Sequence, residues 1–254
     1  MDSLKITTFQ AYLFWENCEK NLQNLALRLS AIREKTDLIV LPEMFNTGFS
    51  MNTEKLAEEM GGTTMQWMQQ QARKYEAVVT GSLIIKENDC FYNRLIWMRP
   101  DGTFEHYDKR HLFSLANEDD QFTPGNRKFY IDLHGWKICP AICYDLRFPV
   151  WSRNTLVGGE PAYDVLLYVA HWPEVFGHPL DQDLVSAFKT FEVQFSDDLF
   201  TFIGGNVSLF VFSPHALKPI KCIAKRGLGN EAPPFLDEIA GNGFVSSCFY
   251  DRWK

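Results

Sequence analysis

The chain alternates short apolar runs with segments whose apolar residues recur at helical spacing. Residues 4–15 ("LKITTFQAYLFW") predict a strand, and the compact run "TDLIVLPEMF" predicts another. Between them lies a predicted helix, whose apolar positions are Leu22, Leu25, Leu27, Leu29 and Ile32. A strand, a helix and a strand in succession are typical of a sheet with helices packed against it.

Further along, the pattern predicts a second helix over residues 63–75 ("TTMQWMQQQARKY"), with Thr63 or Thr64 as its N-cap. Residues 76–85 ("EAVVTGSLII") predict a strand in which Gly81 fits a bulge or a close approach. This part of the chain therefore repeats the pattern of a helix followed by a strand.

Hairpins are predicted in the middle of the chain. Two alternating segments flank the turn sequence "RPDGT" at residues 99–103, and residues 128–145 predict a strand pair that turns at His134 and Gly135. Residues 163–172 ("YDVLLYVAHW") predict a buried strand. Because the sequence has no internal repeat and no linker, we expect residues 1–254 to form a single α/β domain.

Composition and charge exclude several classes of protein. The net charge is −7 and there is no long basic run, so we expect no nucleic-acid partner. No apolar window is long enough for a membrane helix, and no signal peptide is evident at the start. The six cysteines contain no CxxC pair, which argues against a disulfide framework or a structural zinc site. Together these features predict a cytoplasmic protein with free thiols.

One cysteine lies where an apolar strand turns into polar residues. In "KICPAICYDLRFP" (residues 137–149), Cys143 ends the apolar run. A cysteine in such a run is usually a small buried hydrophobic residue. Its place at the strand end would instead expose the thiol and bring the following backbone N–H groups near an oxyanion formed there.

An acid and a lysine are candidate partners for this thiol. Glu43 ends an apolar strand, where it is either solvated or held in a partly apolar pocket that raises the pKa of a carboxyl. Lys109 lies in the charged cluster "YDKRHLF", and alternation puts it on one face with Tyr107 and His111 without showing which face is buried. A lysine near Cys143 would lower the pKa of the thiol.

Four motifs in order resemble the nitrilase, or carbon–nitrogen hydrolase, superfamily. They are "LPEMFNTGF", "YDKRHLF", "PAICYDLRFP" and "HWPE", and the similarity is closest to the omega-amidase branch. The resemblance implies a triad of Glu43 as general base, Lys109 as catalytic lysine and Cys143 as nucleophile. Glu118 would be a second glutamate beside the lysine, and the backbone N–H of Tyr144 would help to bind the oxyanion.

The resemblance also suggests residues around the substrate, namely Phe45, Phe49, Arg147 and Trp172. Arg147 has two possible roles: an ion pair with Asp145 that holds the nucleophile loop, or a contact with an anionic substrate. We favour the ion pair. Histidines 111 and 171 allow a Cys–His arrangement as an alternative, although histidines beside aromatic residues are more often packed in the core or at its rim.

The family fold is a four-layer α-β-β-α sandwich, and its members pair as homodimers. The implied reaction needs no metal ion or organic cofactor: water hydrolyses a small-molecule amide, 2-oxoglutaramate or 2-oxosuccinamate, to an acid and ammonia through a thioester. Two alternatives stay open. One is a related hydrolase that acts on a nitrile or an N-carbamoyl amine, and the other is a catalytically silent binding or assembly protein. After about Gly177 the sequence matches the family poorly, with Asn206 its best candidate for a matching residue.

Overall fold

The structure is a computed structural model that describes residues 4–171 and the backbone of three later strands. The described strands are β1 (Leu4–Gln10), β2 (Leu38–Val40), β3 (Val78–Glu87), β4 (Cys90–Met98), β5 (Phe104–Asp108), β6 (Ile131–Leu133), β7 (Trp136–Ile142), β8 (Leu156–Val157), β9 (Glu160–Pro161), β10 (Val165–Val169), β11 (Leu199–Ile203), β12 (Leu209–Ser213) and β13 (Ile220–Arg226). The described helices are α1 (Cys18–Leu29), α2 (Thr53–Leu56), α3 (Thr63–Tyr75), α4 (Glu118–Gln121) and α5 (Pro149–Ser152), with 3-10 turns at Ser114–Ala116 and Cys143–Arg147.

Two sheets make up the centre of the fold. The larger sheet has the strand order β13-β1-β2-β3-β4-β5, and the other has the order β10-β7-β6. Strand β2 pairs in parallel with β1 and β3, whereas β3, β4 and β5 form an antiparallel meander. Strand β7 pairs in parallel with β10. Strands β2 and β7 therefore lie inside their sheets, and the candidate base and nucleophile follow their last residues.

Apolar side chains fill the space between these layers. One core lies between the two sheets and includes Trp97 from the first sheet and Ile138 and Tyr168 from the second. A second core lies between the first sheet and the helices α1 and α3, and includes Leu25 and Met68. The described residues thus form three layers in the order α-β-β, and burial of these apolar faces is the main driving force that holds the layers together.

The helices follow the predicted apolar stripes. In α1 the side chains of Leu22, Leu25 and Leu29 are buried, while Leu27 is 72% exposed. Helix α3 has the predicted bounds, but its N-cap is Gly62 and not a threonine. No helix in the described part of the chain is long and apolar enough to cross a membrane.

The cap of α3 comes from a distant side chain. The Oε2 atom of Glu58 accepts a hydrogen bond of 2.8 Å from the backbone N–H of Thr64. An acceptor at this position satisfies one of the free N–H groups in the first helical turn, and a negative charge there is favoured by the helix dipole. The predicted caps Thr63 and Thr64 were therefore wrong, because a carboxylate supplied from outside the helix takes their role.

The predicted close approach at Gly81 is confirmed. A Cβ atom at this position would lie 2.8 Å from the Phe45 ring and 2.9 Å from the Leu41 side chain. The predicted turns are also found: Arg99 and Thr103 pair across the β4–β5 turn at 2.9 Å, and His134 has a φ of 55° between β6 and β7. The predicted strand over residues 4–15 ends earlier, at the end of β1.

Candidate active site

The loop after β2 holds Glu43 in a fixed position. The backbone N–H of Met44 donates to Ser82 Oγ at 2.9 Å, and the N–H of Leu41 donates to the Thr80 carbonyl at 2.8 Å. These bonds keep the loop on the neighbouring strand β3. The Glu43 side chain is fully buried.

Lys109 directly follows the edge strand β5. Its N–H donates to the Asn93 carbonyl at 2.9 Å, and its carbonyl accepts from the N–H of Gly125 at 2.8 Å. Gly125 packs so closely that a Cβ atom there would lie 2.1 Å from the Asp108 carbonyl oxygen. Lys109 and Tyr107 are both buried, so the face of the alternating segment that contains them is the inner one.

The ammonium of Lys109 lies between two buried glutamates. Its Nζ atom is 2.8 Å from Glu43 Oε1, 2.8 Å from Glu118 Oε2 and 3.1 Å from Glu118 Oε1. Burial disfavours the charged lysine, but the two carboxylates outweigh burial and raise the pKa of Lys109 above its usual value. The two carboxylates therefore favour the charged form of the lysine, which suits it to stabilise a negative charge.

The two carboxylates differ in how many donors they accept. Glu118 receives four hydrogen bonds, because Phe113 N–H donates to Oε2 at 2.7 Å and Asn93 Nδ2 donates to Oε1 at 2.9 Å in addition to the two from Lys109. Glu43 receives two bonds at Oε1, whereas the one N–H donor to its Oε2 among the described residues is that of His171, at 3.2 Å. An ionised carboxylate has about four acceptor sites. Only Glu43 therefore has room to accept a further proton.

Asn93 is a site residue that the sequence analysis missed. It lies in β4, is buried, and its Nδ2 donates at 2.9 Å to both Glu43 and Glu118. The signal in the sequence was a polar residue in the middle of the run "CFYNRLIWM", which lies in a strand that is otherwise largely apolar. Such a residue is expected to be buried only when it has partners.

Cys143 is the first residue of the turn after β7 and is only partly buried. Its φ of 41° lies in the left-handed region, which costs a residue with a Cβ about 1–2 kcal/mol. Burial, followed by the negative charge of Glu43, raises the pKa of the thiol well above its usual value, and Lys109 only partly opposes this. Lys109 therefore lowers the pKa of the thiol, as predicted, but burial and the negative charge of Glu43 outweigh its effect.

Two further predicted site residues, Phe49 and Tyr144, lie close to the cluster around Lys109 and Cys143. The ring of Phe49 lies 5.3 Å from the Lys109 ammonium. The side chain of Tyr144 is half-buried, and its ring packs at 4.9 Å on Phe113. The N–H groups at the start of a helical turn have no acceptor within the turn, which leaves the N–H of Tyr144 suited to an oxyanion.

Phe45 does not reach the site. Its ring is fully buried in the core between the first sheet and the helices, 5.9 Å from Trp67. The prediction that Phe45 binds substrate is corrected for this reason. Trp172 lies outside the described residues.

The turn that carries Cys143 is held by partners other than the predicted one. Arg147 is exposed and forms no ion pair within the described part of the chain. The carboxylate of Asp145 instead pairs with His111 Nδ1 at 2.8 Å. This bond also directs the His111 ring toward Asp145, so the Cys–His alternative gains no support.

His171 is neutral in the folded protein. Its Nδ1 accepts the N–H of Phe49 at 3.3 Å, and burial lowers its pKa to about 4. Among residues 4–171, no group of three or more His, Cys, Asp or Glu side chains is arranged to hold a metal ion.

Comparison with known proteins identifies the family. The family model for carbon-nitrogen hydrolases matches residues 5–171. The chain belongs to the carbon-nitrogen hydrolase family. The nitrilase-type sandwich predicted from the sequence is confirmed by the crystal structure of XC1258 from Xanthomonas campestris, a CN-hydrolase superfamily protein with an arsenic adduct in its active site. That chain is 30% identical with a TM-score of 0.71, over 89% of this chain and 77% of that one.

Individual relatives of the chain belong to the predicted branch. It is 40% identical over 173 residues to the omega-amidase YafV of Yersinia enterocolitica, which covers 68% of this chain and 65% of that protein. It is 30% identical over 171 residues to the 2-oxoglutaramate amidase of Bacillus subtilis, which covers 66% of this chain and 65% of that protein. The chain therefore spans slightly less than two thirds of the length of these curated relatives.

Proposed function

We propose that this hydrolase is an omega-amidase that cleaves the terminal amide of 2-oxoglutaramate or 2-oxosuccinamate to the acid and ammonia. The observation that carries the proposal is the cluster of Glu43, Lys109 and Glu118 around the thiol of Cys143. The names of the relatives support the choice of an amide and of an α-keto acid skeleton.

In the first half of the reaction, the thiol of Cys143 loses its proton as its sulfur attacks the amide carbon. Glu43 Oε2 accepts the proton, because it is the carboxylate oxygen of the site with the fewest donors. The C–S bond forms and the carbonyl oxygen becomes an oxyanion. Glu43 then returns the proton to the amide nitrogen, the C–N bond breaks, and ammonia leaves a thioester behind.

The second half uses the same base again. Water takes the place of ammonia, and Glu43 accepts a proton from it as its oxygen attacks the thioester carbon. The C–S bond breaks, the acid is released, and the proton returns to the sulfur. Because Glu43 passes on each proton that it accepts, each half-reaction returns Glu43 and Lys109 to the protonation states in which it began.

Stabilisation of the oxyanion falls to Lys109 and the backbone N–H of Tyr144. The Lys109 ammonium contacts both oxygens of Glu118, and a single N–H shared between these oxygens can make both hydrogen bonds. A further N–H is then available for the oxyanion. One such donor is worth about 3–4 kcal/mol of barrier.

The test is ammonia release from 2-oxoglutaramate and 2-oxosuccinamate, compared with a simple nitrile and an N-carbamoyl amine. We expect release from the two keto acid amides and its loss in Cys143→Ala. The matched control is Cys139→Ala, since burial raises the pKa of the Cys139 thiol to about 12 and leaves it unreactive. Mass spectrometry after brief incubation with substrate would show the thioester as an acyl group attached to Cys143. Turnover of the nitrile or carbamoyl amine alone would refute the substrate class, and no turnover of any compound would favour a silent binding protein.

We also propose that the protein is a cytoplasmic homodimer. Exposed apolar side chains near the site support a second copy as partner, with Leu115 83% and Val150 82% exposed beside Phe148. Among the described residues all four cysteines are free, which supports a reducing compartment. Light scattering should give twice the mass of the chain for the wild type and the mass of one chain for Val150→Glu.

A further inference from the structure

Asp145 lies two residues after the nucleophile and is fully buried. Its Oδ1 accepts the backbone N–H of His111 at 2.9 Å and pairs with His111 Nδ1 at 2.8 Å. Its Oδ2 accepts the hydroxyl of Tyr107 at 2.8 Å and the backbone N–H of Ile142 at 3.1 Å. Each of its oxygens therefore has two partners, and the carboxylate has no capacity left for a proton or a substrate.

These partners belong to two chain segments that must meet in the active site. Tyr107 and His111 lie two residues before and two residues after Lys109, and Ile142 directly precedes Cys143. A single carboxylate thus ties the lysine segment, on both sides of the lysine, to the turn that carries the sulfur. The bond to Ile142 also holds the turn in which Cys143 adopts its left-handed conformation.

The surroundings of Asp145 make this connection rigid. The Tyr107 hydroxyl accepts a further bond of 3.3 Å from Trp151 Nε1, and burial followed by the charge of Asp145 keeps the phenol protonated by raising its pKa. The His111 ring stacks on Phe148 with centroids 3.8 Å apart and planes at 5°. Neither partner can therefore rotate away without losing a second contact.

We propose that Asp145 is a positioning residue that fixes Lys109 and Cys143 relative to each other. It does not touch the reacting atoms and acts only through Tyr107, His111 and Ile142. This inference rests on the proposed function, because it concerns the same site. In the resting protein, loss of this connection would let Lys109 move away from the sulfur.

The experiment uses Asp145→Asn, which keeps the size of the side chain but turns one acceptor into a donor that faces other donors. We expect kcat for 2-oxoglutaramate to fall about tenfold while KM changes little, because substrate does not contact this residue. The matched control is Asp132→Asn, an exposed aspartate that accepts the N–H of Gly135 in the β6–β7 turn and should leave both constants unchanged.

A second readout needs no substrate. The rate at which iodoacetamide alkylates Cys143, measured by peptide mass spectrometry, follows the thiolate fraction. Withdrawal of Lys109 should raise the pKa of the thiol, and we expect the rate to fall about threefold. A mere loosening of the turn would expose the sulfur and raise the rate. An unchanged or faster rate in folded Asp145→Asn would overturn the proposal, as would an unchanged kcat.

A second variant keeps the test decisive if Asp145→Asn does not fold. Tyr107→Phe removes one bond to Asp145 and keeps the ring, so the core is retained. We expect a smaller loss of kcat and slower alkylation, and unchanged values for both would overturn the proposal. If the wild type releases no ammonia from any amide, the proposed function fails, and the alkylation rates still decide the role of Asp145.

Discussion

The lowered pKa of His171 allows a quantitative prediction of how the free energy of unfolding depends on pH. The ring is 8% exposed, and its pKa is about 4 in the folded protein against 6.5 for an ordinary histidine. Between these values the unfolded chain binds a proton that the folded protein does not. Stability from this group is therefore complete above about pH 6.5 and is lost progressively as the pH falls toward about 4.

The size of the effect follows from the two pKa values. The pKa of His171 differs by about 2.5 units between the unfolded and the folded state. At a pH well above both values, this difference contributes about 3 kcal/mol to the free energy of unfolding. Between about pH 7 and about pH 5, the loss amounts to about 2 kcal/mol. This is a substantial part of the total for a protein whose unfolding free energy is about 5–15 kcal/mol.

Urea unfolding across this pH range measures the effect. We expect His171→Asn to be less stable at neutral pH because a buried ring is lost, but to show a shallower decline as the pH falls. The control is His134→Asn, since the side chain of His134 is 69% exposed and should decline in parallel with the wild type. If the wild type and His171→Asn decline in parallel, the reasoning about burial at this position is refuted.

Two further predictions concern Glu118 and Gly81. Glu118→Gln should lower the free energy of unfolding by about 3 kcal/mol, because it removes one partner of a buried ion pair. Glu118→Gln should also speed alkylation of Cys143, because the charge of Glu118 raises the pKa of the thiol. The control is Asp120→Asn on the exposed side of α4, and slower alkylation in Glu118→Gln would contradict the prediction. Gly81→Ala should cost about 1–3 kcal/mol in urea unfolding through overpacking against Phe45, and an unchanged unfolding midpoint would show that the core relaxes there.

Local pattern predicted much of the framework. The bounds of α3, the turn between β4 and β5, and the pair β6–β7 follow from apolar periodicity and turn residues, both of which act over a few neighbours. The end of β1 was missed because the apolar run continues into residues 11–15, where Tyr12 and Trp15 are exposed on a loop. Apolar character alone did not distinguish this loop from a strand.

The sequence pointed to residues that the structure brings into contact around Lys109, but not to the other side chains that connect them. Glu43 and Lys109 are 66 residues apart, and only the resemblance to a family suggested that they meet. Asn93, which links both glutamates, and the partners of Asp145 depend on tertiary contacts that no periodicity encodes. The same holds for the ionisation of Cys143, because the amount of burial around the sulfur decides it and the sequence does not state that amount.

The raised pKa of the Cys143 thiol has a consequence for the protein in the absence of substrate. Thiolates react with peroxides and other electrophiles far more readily than thiols do, so a cysteine that keeps its proton at rest is spared from oxidation to sulfenic acid. In the mechanism that we propose, the thiol loses its proton only as the sulfur attacks a carbonyl carbon. Chemical durability and catalytic competence are thus reconciled by the timing of one proton transfer.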